Sequence, residues 1–124
     1  MATRILNVTL TLDGVTPAGP LFAGYAGDDA ATVVNVTLPA GVSPATARLH
    51  TRFIDGMGTE HTGTCTAGGT SVQISLPKAW TVAGGDAALQ IVAETVNMMT
   101  GAVTATQYLP PIRLYFRGRP EDVV

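Results

Sequence analysis

Alternation of apolar and polar residues runs through most of this chain. From Arg4 to Asp13, Leu6, Val8, Leu10 and Leu12 share one face while Asn7, Thr9 and Thr11 take the other, the period-two signature of a half-buried strand. Thr32 to Leu38 repeats the pattern with Val34, Val36 and Leu38 inward. Leu21 to Ala26 is a short apolar run that predicts a brief strand between these two. Ala45 to Asp55 predicts the next long strand, with Ala47, Leu49, Thr51 and Phe53 on one face and Arg48, His50, Arg52 and Ile54 on the other. Thr59 to Thr66 returns as a threonine-rich polar strand, expected at a sheet edge. Val103 to Leu109 and a last strand follow; in the latter Ile112, Leu114 and Phe116 alternate with Arg113, Tyr115 and Arg117.

Turn chemistry separates these runs. Gly14 to Gly19, Gly27-Asp28-Asp29, Pro39 to Pro44, Asp55-Gly56-Met57-Gly58, Gly68-Gly69 and Asn97-Met98-Met99-Thr100-Gly101 all read as turns or hairpin tips. Pro110-Pro111 breaks the ladder, since proline donates no backbone N–H. Thr70 to Val96 reads as strand, corner, strand: Val72, Ile74 and Leu76 alternate, Pro77 stops the strand, and Lys78 to Val82 is long enough for a single helical turn. Gly84-Gly85 then frees the backbone for a second strand. Trp80, on the turn, is expected to plug a corner at which the chain passes from one sheet to another.

The pattern predicts an all-β fold, an antiparallel immunoglobulin-like β-sandwich of about eight strands with one short helical turn near residues 78–82. A small closed barrel is the rival architecture. Residues 1–117 read as a single domain and 118–124 as a C-terminal tail or linker.

Composition narrows the classes. Apolar residues make up 46% and charged residues 13%, which excludes a disordered chain. A soluble monomer carries roughly a quarter charged residues, so the low value points to a surface partly covered by another protein. Seven basic residues against nine acidic ones, net −2, leave no basic field for a nucleic-acid backbone. Cys65 is the only cysteine, so no internal disulfide and no cysteine-based zinc site is expected. The N-terminal residues enter strand alternation directly, with no apolar signal core and no bilayer-length run, which predicts a protein made in a cytoplasm and not held in a membrane. The triplets Asn7-Val8-Thr9 and Asn35-Val36-Thr37 match glycosylation acceptors and read here as polar strand positions.

His61 and Cys65 invite a nucleophile–base reading, but on a strand that spacing puts them about 13 Å apart. His50 and His61, expected to face each other across the Asp55–Gly58 hairpin with Glu60 nearby, suggest a metal pair, against a cross-strand polar pair on a solvated face. Asp28, Asp29 and Asp86 lack the dense oxygen alternation of a calcium loop and suit turns and caps. The Gly56–Gly58 and Gly84-Gly85 loops lead into no phosphate-binding helix. No catalytic residue, cofactor or metal site is expected, and a small-molecule ligand is not favoured. Partner contact is the alternative for Met98 and Met99, apolar residues at a hairpin tip, against insertion into the core. Arg113, Arg117 and Arg119 beside Tyr115 form a basic stripe that reads as a solvated face or a contact with an acidic partner.

The order of these segments resembles the N-terminal domain of phage baseplate upper proteins. PLFAGYAGDDAATVVNVTL is similar to that family's short strand, polar turn and alternating strand, and ARLHTRFIDGMGTEHTGTCTAGGTSVQISLP to its strand, Asp-Gly hairpin, strand and Gly-turn-strand. KAWTVAGGDAALQIVAETVN resembles its helical turn, Ala-Gly step and long strand, and TATQYLPPIRLYF its closing hairpin arm. The resemblance spans about residues 3–117 in pattern and order, without a catalytic signature; the family's helical linker and trimeric stalk are not within these 124 residues. It implies an immunoglobulin-like domain that anchors a receptor-binding appendage or fibre to a virion, with other virion proteins and further copies of itself as partners. The alternative is a carbohydrate-binding module, which requires Tyr25, Trp80, Tyr108 and Tyr115 to gather, at least three together, in one exposed groove.

Overall fold

The computed structural model describes residues 3–42, 47–97 and 99–118. Among them, eleven strands and one four-residue helix form two sheets around a single core. The strands are β1 (Arg4–Leu10), β2 (Val15–Thr16), β3 (Leu21–Tyr25), β4 (Thr32–Thr37), β5 (Arg48–Ile54), β6 (Glu60–Thr64), β7 (Thr66–Gly68), β8 (Ser71–Ser75), β9 (Gly85–Val96), β10 (Val103–Tyr108) and β11 (Ile112–Arg117); α1 is Lys78–Thr81. The first sheet runs β2-β1-β4-β8-β7 and the second β3-β11-β9-β5-β6, with β10 also paired to β9. This is the expected all-β sandwich. Its inward positions are those the alternation marked: Val8, Leu10, Val34, Val36, Phe53, Val72, Ile74, Ile112, Leu114 and Phe116 are all buried.

Four details depart from the sequence reading. The sheets are mixed, not antiparallel throughout: β1 runs parallel to β4, Arg4 opposite Thr32, and β3 parallel to β11. The chain leaves the first sheet after β2, crosses the second as β3 and returns as β4, the kind of crossover that parallel neighbours need. Period-two alternation encodes which face is buried and carries no information about strand direction. Leu12, inward by alternation, is 58% exposed, because β1 ends at Leu10 and the Thr11–Gly14 turn carries Leu12 out. The predicted strand Thr59–Thr66 is two strands in different sheets, β6 and β7, with half-buried Cys65 at the crossing packed against the core. His50 and His61 do not face each other. His50 lies opposite Thr64, and His61 opposite Phe53, which puts the two imidazoles on opposite faces of the second sheet.

The corner does cross between sheets, from β8 to β9. Trp80 is buried there and stacks on Phe53, centroids 5.1 Å apart and planes 17° from parallel, with Phe116 and His61 beside the pair. Thr81 Oγ1 donates to the Asp28 carbonyl at 2.7 Å, tying the corner to the β3–β4 turn. Gly84 and Gly85 have φ of 67° and 81°, conformations that side chains rarely adopt, so they serve as the hinge.

Candidate partner-contact surfaces

The outward face of the second sheet carries the densest chemistry. On β5 the outward residues are Arg48, His50, Arg52 and Ile54, since Thr51 and Phe53 are buried. Glu94 on β9, directly opposite Arg48, pairs with Arg48 at 3.4 Å and His50 at 3.0 Å. Arg52 pairs with Glu60 across β6, donates to Gln90 Oε1 at 2.8 Å and lies 5.9 Å over the Tyr108 ring. Arg48 and Arg52 are therefore already matched on the chain itself.

The β3–β11 end of that face differs. Arg113, Tyr115 and Arg117 project outward from β11, because Ile112, Leu114 and Phe116 face the core. Phe22 pairs with Tyr115 in the parallel ladder, and the register shift after it brings Tyr25 opposite Arg117. Phe22 meets Tyr25 edge-on at 5.5 Å and Tyr115 at 5.6 Å, and the guanidinium carbons of Arg4 and Arg117 lie 5.0 and 5.2 Å from its centroid. Such placements favour the cation and hold its planar head in one orientation. Arg4 is ion-paired to Asp28, whereas neither Arg113 nor Arg117 has a carboxylate partner among the described residues. Asp86 lies across from Tyr115 on β9, between them. Tyr25, Tyr115 and Arg117, each marked by the sequence for a different reason, therefore gather with Phe22 and Arg4, which the sequence does not mark, and Arg113 shares their face. Parallel pairing across some 90 residues is invisible to local periodicity. Arg119 lies outside the described residues.

The other surface is the hairpin β9–β10. β11 occupies one edge of the lower half of β9, and β10 the same edge of its upper half, so the segment after the tip is one return strand interrupted at Pro110-Pro111. Every residue of β10 is exposed. Met99, at the tip, is 95% exposed, so it is not core; its N–H donates to Asn97 Oδ1 at 2.9 Å. Met98 lies outside the described residues.

The remaining candidates resolve into structural roles. Asp55 caps its hairpin, accepting from the N–H groups of Met57 and Thr59 and pairing with His61 Nε2, each at 2.9 Å. The His61 hydrogen bond and those two N–H groups hold its carboxyl below the usual 3.8. Burial pushes the Cys65 thiol up to about 11. Asp28 accepts from the Tyr25 N–H and Asp29 from the Lys78 N–H, the turn and cap roles expected of them. Asn35 Nδ2 donates to Asn7 Oδ1 at 3.1 Å across the β1–β4 ladder, so the two acceptor-like asparagines form a polar strand pair. Among the described residues no group of three or more His, Cys, Asp or Glu side chains is placed to hold a metal ion, and no helix is long and apolar enough to cross a membrane. A cleft of about 490 Å³ at the corner, lined by Gly27, Lys78, Val82, Gly84 and Gly118 among others, holds Lys78 as its one titratable side chain among the described residues. Of the four aromatics named for a sugar groove, Tyr25 and Tyr115 come together; Trp80 is in the core and Tyr108 is beside Arg52.

No protein-family model matches the chain, and a search of curated proteins finds no match.

Proposed function

We propose that this chain is a structural protein of a phage virion: a non-enzymatic β-sandwich adaptor of a baseplate, tail-fibre or head-fibre assembly that binds other virion proteins. The observation that carries the binding role is the cluster on the β3–β11 face, where Arg113 and Arg117 flank Tyr115 beside Phe22 and Tyr25 without a carboxylate partner among the described residues. Tyrosine, phenylalanine and arginine are the residue types that protein interfaces concentrate. The half-buried setting of Phe22, Tyr25 and Tyr115, packed on one another, lowers the entropy lost on docking. The assignment to a virion rests on the segment order that resembles baseplate upper proteins.

The test is to purify particles from the source that encodes the chain and quantify it by mass spectrometry, wild type against Arg113→Glu/Arg117→Glu. The reading expects the wild-type chain in fixed stoichiometry in particles and the folded variant depleted from them. A chain that stays in the soluble fraction while particles assemble and infect normally would sink the proposal. The Phe22–Tyr25–Tyr115 cluster also gives the carbohydrate-binding alternative its foothold; a purified domain that binds an oligosaccharide and loses it with Tyr115→Ala would favour that reading instead.

A further inference from the structure

Among the described residues β10 is the least defended edge of the second sheet: it is uncharged throughout, and its one blunting feature is a bulge near its start. Sheet edges in monomeric proteins are blunted by shortness, charge, bulges or cover. Here β2 and β7 have two and three residues, β6 carries the ion-paired Glu60, and β3 bends at Gly24 (φ 124°), where its register shifts. β10 reads Val-Thr-Ala-Thr-Gln-Tyr, has no charge, and pairs with nothing on its far side among the described residues. β3 flanks β11 but not β10, so the edge is stepped, with room for one added strand beyond β10.

The hydrogen-bonding phase of that edge is legible. Leu109 donates its N–H to the Ile91 carbonyl at 3.0 Å, so Leu109, Gln107 and Ala105 turn their backbone groups towards β9. Thr106 and Tyr108 then point theirs away. The ladder also slips between Val103 and Ala105, leaving Thr104 as an extra residue whose Oγ1 donates to the Thr95 carbonyl. That bulge returns Val103 to the same face as Thr106 and Tyr108, opposite Val96, Glu94 and Val92.

We infer that β10 pairs antiparallel with β10 of a second copy of this chain, about a two-fold axis through Thr106. This deepens the assembly role proposed above but uses a different surface. In this register Thr106 and its copy exchange N–H···O bonds, Ala105 meets Gln107, and Tyr108 meets the Val103–Thr104 bulge at both ends. Val103 (43% exposed) and Tyr108 (60% exposed) share a face, so an aromatic–β-branched contact closes each end of the pairing. A second copy fits because the strand is uncharged: self-pairing sets no like charges opposite one another, and the two sheets become continuous. The contact is isologous and closes as a dimer.

The test measures mass in solution by analytical ultracentrifugation for five samples. Wild type is expected to be a dimer that dissociates on dilution. Thr106→Asp and Thr106→Lys, each placing like charges on the axis, are expected to be folded monomers by circular dichroism. Mixed in equal amounts, they are expected to re-form a dimer, because only self-opposition at Thr106 brings Asp against Lys. Thr106→Pro removes an N–H that β9 does not use and is expected to be monomeric with its fold intact. A wild type that is monomeric at all concentrations reached, a Thr106→Pro protein that remains dimeric, or an Asp/Lys mixture that stays monomeric each overturns the inference. A monomeric wild type still found in particles would overturn this pairing and leave the virion reading standing.

Discussion

Gly63 tests the packing of the corner most sharply. It sits on the edge strand β6, where local sequence predicts tolerance, and its φ is not in the left-handed region, so the backbone itself accepts alanine. A Cβ there would lie 2.9 Å from Trp80 Cζ2 and 3.0 Å from both Trp80 Cη2 and Thr51 Oγ1. None of these can retreat cheaply: the indole is buried and stacked on Phe53, and Thr51 is fully buried. Overpacking of this kind costs about 1–3 kcal/mol. Replacing a strand glycine returns about 0.5–1 kcal/mol through the unfolded chain. Gly63→Ala should therefore destabilise by about 1.3 kcal/mol at the middle of these ranges, a fall in urea midpoint of roughly 0.6–0.9 M at an m-value of about 1.5–2 kcal/mol/M. Trp80→Phe shortens the opposing ring, so Gly63→Ala added to that variant should cost less, with a coupling of about 1 kcal/mol. Urea unfolding followed by far-ultraviolet circular dichroism measures all four corners of the cycle, since the Phe variants lose the only tryptophan. Gly63→Ala at or above wild-type stability, or an equal cost in both backgrounds, would refute the account of Trp80 as a plug held between two sheets.

Three further outcomes follow from single groups. Asp55, held below its ordinary value of 3.8 by the His61 hydrogen bond and the Thr59 and Met57 N–H groups, stabilises the fold above that pH; the contribution is lost as pH falls through the lower folded value. Thermal midpoints taken down the acid range should fall less steeply for Asp55→Asn than for wild type, and parallel curves would discard the cap. Burial raises the Cys65 thiol to about 11, so it is protonated at neutral pH and should react slowly with iodoacetamide until urea unfolds the chain; rapid labelling of native protein would contradict this. Thr51 Oγ1 is buried with no hydrogen-bond partner among the described residues, so Thr51→Val, removing an unsatisfied hydroxyl at near-constant volume, should raise stability by about 1 kcal/mol in the same urea assay, and a loss would show that the hydroxyl is satisfied.

The fold class was legible because burial imposes period two on any strand with one wet face. Val34-Val36-Leu38, Val72-Ile74-Leu76 and Ile112-Leu114-Phe116 each marked an inner face correctly. Pro77, Gly84 and Pro110-Pro111 marked the places where the ladder ends, since they lack an N–H or adopt backbone that other residues avoid. The same alternation placed Arg113, Tyr115 and Arg117 outward, and the threonine-rich, polar composition of Thr59–Thr66 marked the edge position that β6 occupies.

What the sequence alone determined, then, is which residues face in, where the chain turns, and that Trp80 fills a corner. Tertiary structure decided the rest. Parallel pairing of β1 with β4 and of β3 with β11 depends on a crossover between sheets, and no local period records it. Phe22 and Tyr25 joined Arg113, Tyr115 and Arg117 only through that pairing. His50 and His61 separated because a register is set by the whole ladder, and a one-residue difference in register reverses the face. The free edge of β10 arose in the same way: β9 is long enough to carry two strands end to end on one side, and β3 reaches only one of them.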